Sequence, residues 1–208
     1  MYAPATEFGP DVGDVEVFPH GDQVHLFHLT LRNCDVAQHV ASDDGLAWRP
    51  LPEALRTGDP GACDDDMIWT MSVTERGGRF YMLYTTLAQA EGGRVQRSAL
   101  AVSDDLLTWR KHGDGSVAEA DGRWYEADLA ETARISWRDP KPILVGDTYH
   151  ATVNGRVKDG PLQRRGCAAL MASRDLIHWQ VPGRLCTRRA DTGTSRALKS
   201  SRSTGATS

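Results

Sequence analysis

The sequence predicts an all-β fold, a β-propeller with about three blades present. Three observations carry that expectation. A segment with Ser and Trp six positions apart occurs three times, as Ser42-Asp43-Asp44-Gly45-Leu46-Ala47-Trp48, Ser103-Asp104-Asp105-Leu106-Leu107-Thr108-Trp109 and Ser173-Arg174-Asp175-Leu176-Ile177-His178-Trp179. Each copy follows a hairpin signature. No stretch shows a 3.6-residue apolar period with caps, so the units are not separated by helices. Internal repeats of short strands are how propeller blades read. An all-β sandwich also supplies many short strands, but it has no reason to repeat a Ser-Asp-Trp turn.

The hairpins come in chain order. Val15-Glu16-Val17-Phe18 and Val24-His25-Leu26-Phe27 flank His20-Gly21-Asp22. Met71-Ser72-Val73 and Phe80-Tyr81-Met82-Leu83-Tyr84 flank Gly77-Gly78. Pro142-Ile143-Leu144-Val145 and Thr148-Tyr149-His150-Ala151 flank Gly146-Asp147. Gly and Asp supply the unusual backbone angles of the turns, while β-branched and aromatic residues suit a pleated surface. Each unit then reads as a hairpin, a third strand ending at Ser-x-Asp, and a fourth opened by the Trp, with spacings of 61 and then 70 residues. A propeller gains stability by closing a ring, so three units are expected to be part of a larger wheel.

Composition sets the outer limits. The chain has 208 residues, 40% hydrophobic, with a formal net charge of −4, which is ordinary for a globular core. Its longest apolar run, Cys167 to Ala172, is far short of the roughly 20 residues that span a bilayer. The first residues have neither a basic nor an apolar leader pattern, so the expected location is cytoplasmic, with no membrane partner. Cys34, Cys63, Cys167 and Cys186 lack any C-x-x-C spacing and read as buried free thiols, and the seven histidines form no metal motif. No transition-metal site is expected. Residues 1–186 read as the propeller fragment and 187–208 as a basic Ser/Thr-rich tail of disordered composition. Arg188, Arg189, Arg196, Lys199 and Arg202 against Asp191 give the tail +4 and leave −8 on the first 186 residues. That acidic body argues against nucleic acid as a partner.

In a propeller the start of each innermost strand lines the central axis. Asp14 opens the first unit within Val12-Gly13-Asp14-Val15, and Asp139 opens the third within Trp137-Arg138-Asp139-Pro140. Equivalent places in two blades would bring the carboxylates to one pocket. A carboxylate pair is what glycoside hydrolysis uses, because its oxocarbenium-like transition state needs an anion and a nucleophile or base.

Gly13-Asp14, the hairpin Val17 to Phe27, Trp69-Thr70-Met71-Ser72, Arg138-Asp139-Pro140 and the Ser-x-Asp-x-x-x-Trp repeats together resemble glycoside hydrolase family 32 over about residues 8 to 185. The resemblance implies a five-bladed β-propeller enzyme acting on β-fructosides, a carbohydrate substrate, a retaining mechanism and no cofactor. It implies that Asp14 is the nucleophile, that Asp139 stabilises the transition state and holds sugar hydroxyls, and that Arg138 orients that contact. Trp69 and Thr70 match an aromatic-Ser-Gly-Ser stretch lining the sugar subsite, with Met71 in place of its Gly. Around Asp14 the family's Asn-Asp-Pro-Asn-Gly has become Gly-Asp-Val-Glu.

Plain structural readings stand beside these. Asp14 also fits a strand-capping turn, Asp139 a blade-to-blade hydrogen bond, and Trp69 a core position. Asp64-Asp65-Asp66 reads as a solvated loop rather than a calcium site, because three adjacent side chains cannot all face one ion. Trp48, Trp109 and Trp179 read as blade core. Two other functions are compatible with the pattern: a family 43-like inverting arabinosidase or xylosidase, and a non-catalytic carbohydrate-binding propeller.

The resemblance also implies a third carboxylate, a Glu acid/base roughly 50 to 60 residues past Arg138-Asp139-Pro140. No Glu follows Trp179. A reading frame displaced after Leu185 can spell Leu-Glu-Gly-Pro-Gln-Val-Val-Glu-Val-Asp-Gly-Arg-Tyr across Thr194 to Thr207, with its first Glu 56 to 57 positions after Asp139. That string has the hairpin grammar of the other units. The tail is therefore expected to be a frameshift product, and turnover by these 208 residues to be negligible.

Overall fold

The computed structural model describes residues 12–183 except Arg32 and Asp114; Cys186 and the basic tail lie outside the described residues. Three antiparallel sheets follow one another along the chain. The first contains β1 (Val12–His20), β2 (Gln23–Thr30), β3 (Val36–Ser42) and the short β4 (Arg49–Pro50), with β5 (Leu55–Arg56) also pairing with β3. The second is β6 (Met67–Arg76), β7 (Arg79–Leu87), β8 (Arg97–Ser103) and β9 (Arg110–Lys111). The third is β10 (Trp137–Val145), β11 (Thr148–Arg156) and β12 (Gly166–Ser173), with Gln180 bridging Ala172 where a fourth strand would lie. These are three blades of a β-propeller. Each predicted hairpin and each third strand ending at Ser is present.

The repeated turn has one construction in all three blades. The Ser hydroxyl donates to the Asp carboxylate two residues on, at 3.1 Å for Ser42, 2.9 Å for Ser103 and 3.0 Å for Ser173. The same Asp then accepts backbone N–H bonds from the next turn, as Asp105 does from Leu107 and Thr108. Those donors hold the Asp105 carboxyl down at about 2. The residue after the Asp is left-handed in every copy: Gly45 at φ 72°, Leu106 at 64° and Leu176 at 67°. Leu106 and Leu176 accept that strain because their side chains are buried against the preceding blade, whereas a Cβ on Gly45 would meet nothing within 4 Å. The indole N–H groups of Trp109 and Trp179 donate to the carbonyls of Leu106 and Leu176. Trp179 is core as expected, but Trp48 and Trp109 are only half-buried.

Two apolar layers lie between successive blades. Phe27, Leu29 and Ala37 of the first blade meet Ile68, Met82 and Tyr84 of the second. On its other face the second blade sets Tyr81, Leu83 and Leu100 against Trp137, Val153 and Met171 of the third. The middle strand β7 is therefore buried on both faces, which is why Phe80 to Tyr84 is a continuous apolar run rather than an alternation.

Two expectations about individual residues are corrected. Asp64 is not a solvated loop residue: it is 1% exposed, accepts from the Tyr84 hydroxyl at 3.0 Å and pairs with Lys111 at 2.6 Å. Its two neighbours diverge from it, as the geometry of adjacent side chains requires; Asp65 accepts from the Gly61 and Gln89 N–H groups. Cys34, Cys63 and Cys167 are half-buried rather than buried. Among the described residues, no helix is long and apolar enough to cross a membrane, and no three His, Cys, Asp or Glu side chains cluster as metal ligands.

Candidate active site

The innermost strands are β1, β6 and β10, and β6 lies between the other two. Each is interrupted near its start by a β-bulge. The register slips between Gly13 and Glu16 in β1, between Trp69 and Met71 in β6, and between Arg138 and Lys141 in β10. The bulges therefore fall on Asp14, Thr70 and Asp139, three of the residues predicted for the site. A bulge breaks the side-chain alternation and re-aims the residue it carries. Asp14 and Asp139 both take left-handed backbone, at φ 47° and 60°, a conformation that favours Gly and is tolerated by Asp far better than by bulky residues. The chain thus repeats one local geometry, with one carboxylate, in blades 1 and 3.

Blade 2 connects them. The Thr70 hydroxyl donates to Asp14 Oδ2 at 2.8 Å, and the Thr70 N–H approaches the same oxygen at 3.3 Å. Thr70 therefore grips Asp14. Trp69, next to it, pairs in register with Thr85, and the Thr85 hydroxyl accepts the Asp139 N–H at 2.9 Å. Asp139 Oδ2 accepts from Asn154 Nδ2 at 2.6 Å and faces Arg138 Nε at 3.2 Å. Each aspartate has one oxygen held by donors, while its Oδ1 has no hydrogen-bond partner among the described residues. Trp69 is half-buried against the layer between blades 1 and 2, and its indole nitrogen is buried without a hydrogen-bond partner among the described residues.

Below this rim, Glu16 ties the three blades together. It is 7% exposed, accepts from the Val73 N–H at 3.1 Å and pairs with Lys141 Nζ at 2.5 Å. Ser72 donates to the Pro140 carbonyl at 2.5 Å, adding a second tie between blades 2 and 3. Sequence reasoning missed Glu16, Lys141, Asn154, Thr85 and Gln96, whose amide oxygen accepts from Arg138 Nη1 at 3.3 Å. Glu16 and Lys141 each stand two residues past a bulge aspartate. That shared offset was the available signal for this pair.

The family model for the glycosyl hydrolases family 32 N-terminal domain matches residues 19–196. The chain belongs to glycosyl hydrolase family 32. The matched stretch contains Trp69, Thr70, Arg138 and Asp139 and begins after Asp14. Solved structures with the same fold include the family 32 beta-fructofuranosidase BmSUC1 of Bombyx mori, at 19% identity and TM-score 0.62, covering 81% of this chain and 34% of that one. A sucrose-6-phosphate hydrolase from Lactobacillus gasseri aligns at 20% identity and TM-score 0.64, over 81% of this chain and 33% of that one. A thermostable family-43 glycoside hydrolase aligns at 18% identity and TM-score 0.60, over 81% and 50%. This family 32 chain spans about a third of the length of the first two.

Proposed function

We propose that the rim formed by Asp14, Thr70, Arg138 and Asp139 is the catalytic edge of a glycoside hydrolase acting on β-fructosides or related furanosides by a retaining double displacement. The matched geometry of the two aspartates carries this reading: each stands at a bulge in an innermost strand, with one oxygen held and the other open. The open oxygen of Asp14 would attack the anomeric carbon, form an ester to the glycosyl group and release the leaving group. The open oxygen of Asp139 would accept sugar hydroxyls whose hydrogen bonds strengthen as positive charge develops on the ring. Arg138 fixes the direction of Asp139, Thr70 that of Asp14, and Trp69 supplies an apolar wall.

A leaving alkoxide needs a proton, and general acid help is typically worth 10² to 10⁴-fold. Among the described residues the third carboxylate at the hub is Glu16, already engaged by Lys141 and Val73. The chain is therefore expected to turn over sucrose very slowly, yet to react with β-fructofuranosyl fluoride. There the carbon–fluorine pair departs as fluoride while an Asp14 lone pair forms the new carbon–oxygen bond. Intact-mass analysis followed by peptide mapping should find one glycosyl group on Asp14, absent in Asp14→Asn and slowed in Asp139→Asn. An unlabelled wild-type chain, or a label that persists in Asp14→Asn, would overturn the reading. An inverting enzyme, which forms no ester, would leave Asp14 unmodified.

A further inference from the structure

We infer that Gln96 is a positioning residue for Arg138 and, through it, for Asp139; the inference rests on the catalytic role proposed for Asp139. Gln96 stands immediately before β8, and its side chain is wholly buried between blades 2 and 3. Its backbone N–H donates to the Ile135 carbonyl at 3.1 Å, and the Ile135 N–H donates to the Arg94 carbonyl at 2.9 Å. The segment carrying Gln96 is thereby stitched to the segment leading into Arg138. Its Oε1 accepts from Arg138 Nη1 at 3.3 Å, while Arg138 Nε faces Asp139 Oδ2 at 3.2 Å. A guanidinium is a rigid planar fork, so an acceptor on Nη1 sets the plane in which Nε points. Nη2 makes no hydrogen bond among the described residues, and the side chain is 38% exposed.

Gln96 Nε2 is buried and has no hydrogen-bond partner among the described residues. A buried orphan donor opposes folding. Turning the amide over would set its NH₂ against the guanidinium donors, so chemistry allows one orientation here. Gln96 therefore occupies a position where an apolar side chain would fold at least as well, and its one side-chain hydrogen bond among the described residues goes to the arginine beside Asp139. Thr85 and Asn154 hold Asp139 itself; Gln96 holds what aims at it.

The test compares Gln96→Met, which keeps the shape but removes both the acceptor and the orphan donor, with Gln96→Glu, which keeps an acceptor facing Nη1. In the Met variant the melting temperature should equal or exceed the wild-type value while fluoride-driven labelling of Asp14 slows about 10- to 100-fold, the scale of a misaligned group. Gln96→Glu should recover most of the rate. Unchanged labelling in Gln96→Met, or a fall in labelling matched by an equal loss of folded protein, would overturn the inference. Hydrogen exchange at the Arg138 Nε–H, assigned by its loss in Arg138→Lys, gives a readout independent of chemistry: it should quicken about tenfold in Gln96→Met, the scale of one lost hydrogen bond. Equal exchange rates would sink the role of Gln96 whether or not wild-type protein labels. An unlabelled wild type with quickened exchange would sink the proposed function and leave the Gln96–Arg138 coupling standing.

Discussion

Replacing Lys141 by Met is expected to destabilise the protein by about 3 kcal/mol, whereas Glu16→Gln is expected to cost less than about 1 kcal/mol. The asymmetry comes from where the two ends of the pair sit. The Glu16 side chain is 9% exposed and that of Lys141 is 61% exposed. Removing the ammonium strands a buried carboxylate with the Val73 N–H as its remaining donor. Breaking a buried pair in this way typically costs 3–5 kcal/mol, and the low end applies because the lysine reaches the pair from solvent. Glu16→Gln leaves an amide that still accepts from Val73, and the freed lysine hydrates at little cost. The double variant Glu16→Gln/Lys141→Met should then be more stable than Lys141→Met alone, because it no longer buries an unpaired charge. Urea denaturation followed by tryptophan fluorescence measures all three. Equal losses for the two single variants, or a double variant no better than Lys141→Met, would refute the picture of a buried charge held by an exposed partner.

Two further outcomes follow from the chemistry of the first blade and of the tail. His25, His28 and His39 are all held below the ordinary histidine value, chiefly by burial, His39 down to about 3. The folded state therefore binds fewer protons than the unfolded chain below about pH 6.5, so stability should fall as pH drops from 6.5 toward 3. His39 alone should remove about 2 kcal/mol by pH 5; a melting temperature flat between pH 7 and pH 5 would contradict this. The gene's nucleotide sequence past residue 185 should carry a second open frame spelling the Glu-containing hairpin; wobble bases that forbid it would end the frameshift proposal.

The hairpins and turns were legible because each depends on a few adjacent residues. Gly77-Gly78 takes left-handed backbone at both positions, and no contact elsewhere is needed to expect a turn there. The same holds for the Ser-x-Asp turn, whose hydrogen bonds all close within three residues. The bulges were not legible. Asp14 and Asp139 stand where a bulge with left-handed backbone favours Gly, and neither sequence neighbourhood announces the slip in register. Asp64 was misread because its burial is decided by Tyr84 and Lys111, residues 20 and 47 positions away.

By itself the amino-acid sequence determined the all-β class, the three repeated units, and the candidate residues Asp14, Trp69, Thr70, Arg138 and Asp139. These rest on local propensity, local hydrogen bonding and motif, which a linear string retains. Tertiary structure decided which oxygen of each aspartate is held, that Thr70 grips Asp14, that Glu16 and Lys141 pair across 125 positions, and that Gln96 reaches Arg138. Such pairings depend on how three sheets pack, and only burial of their apolar faces brings together side chains whose positions along the chain carry no record of one another.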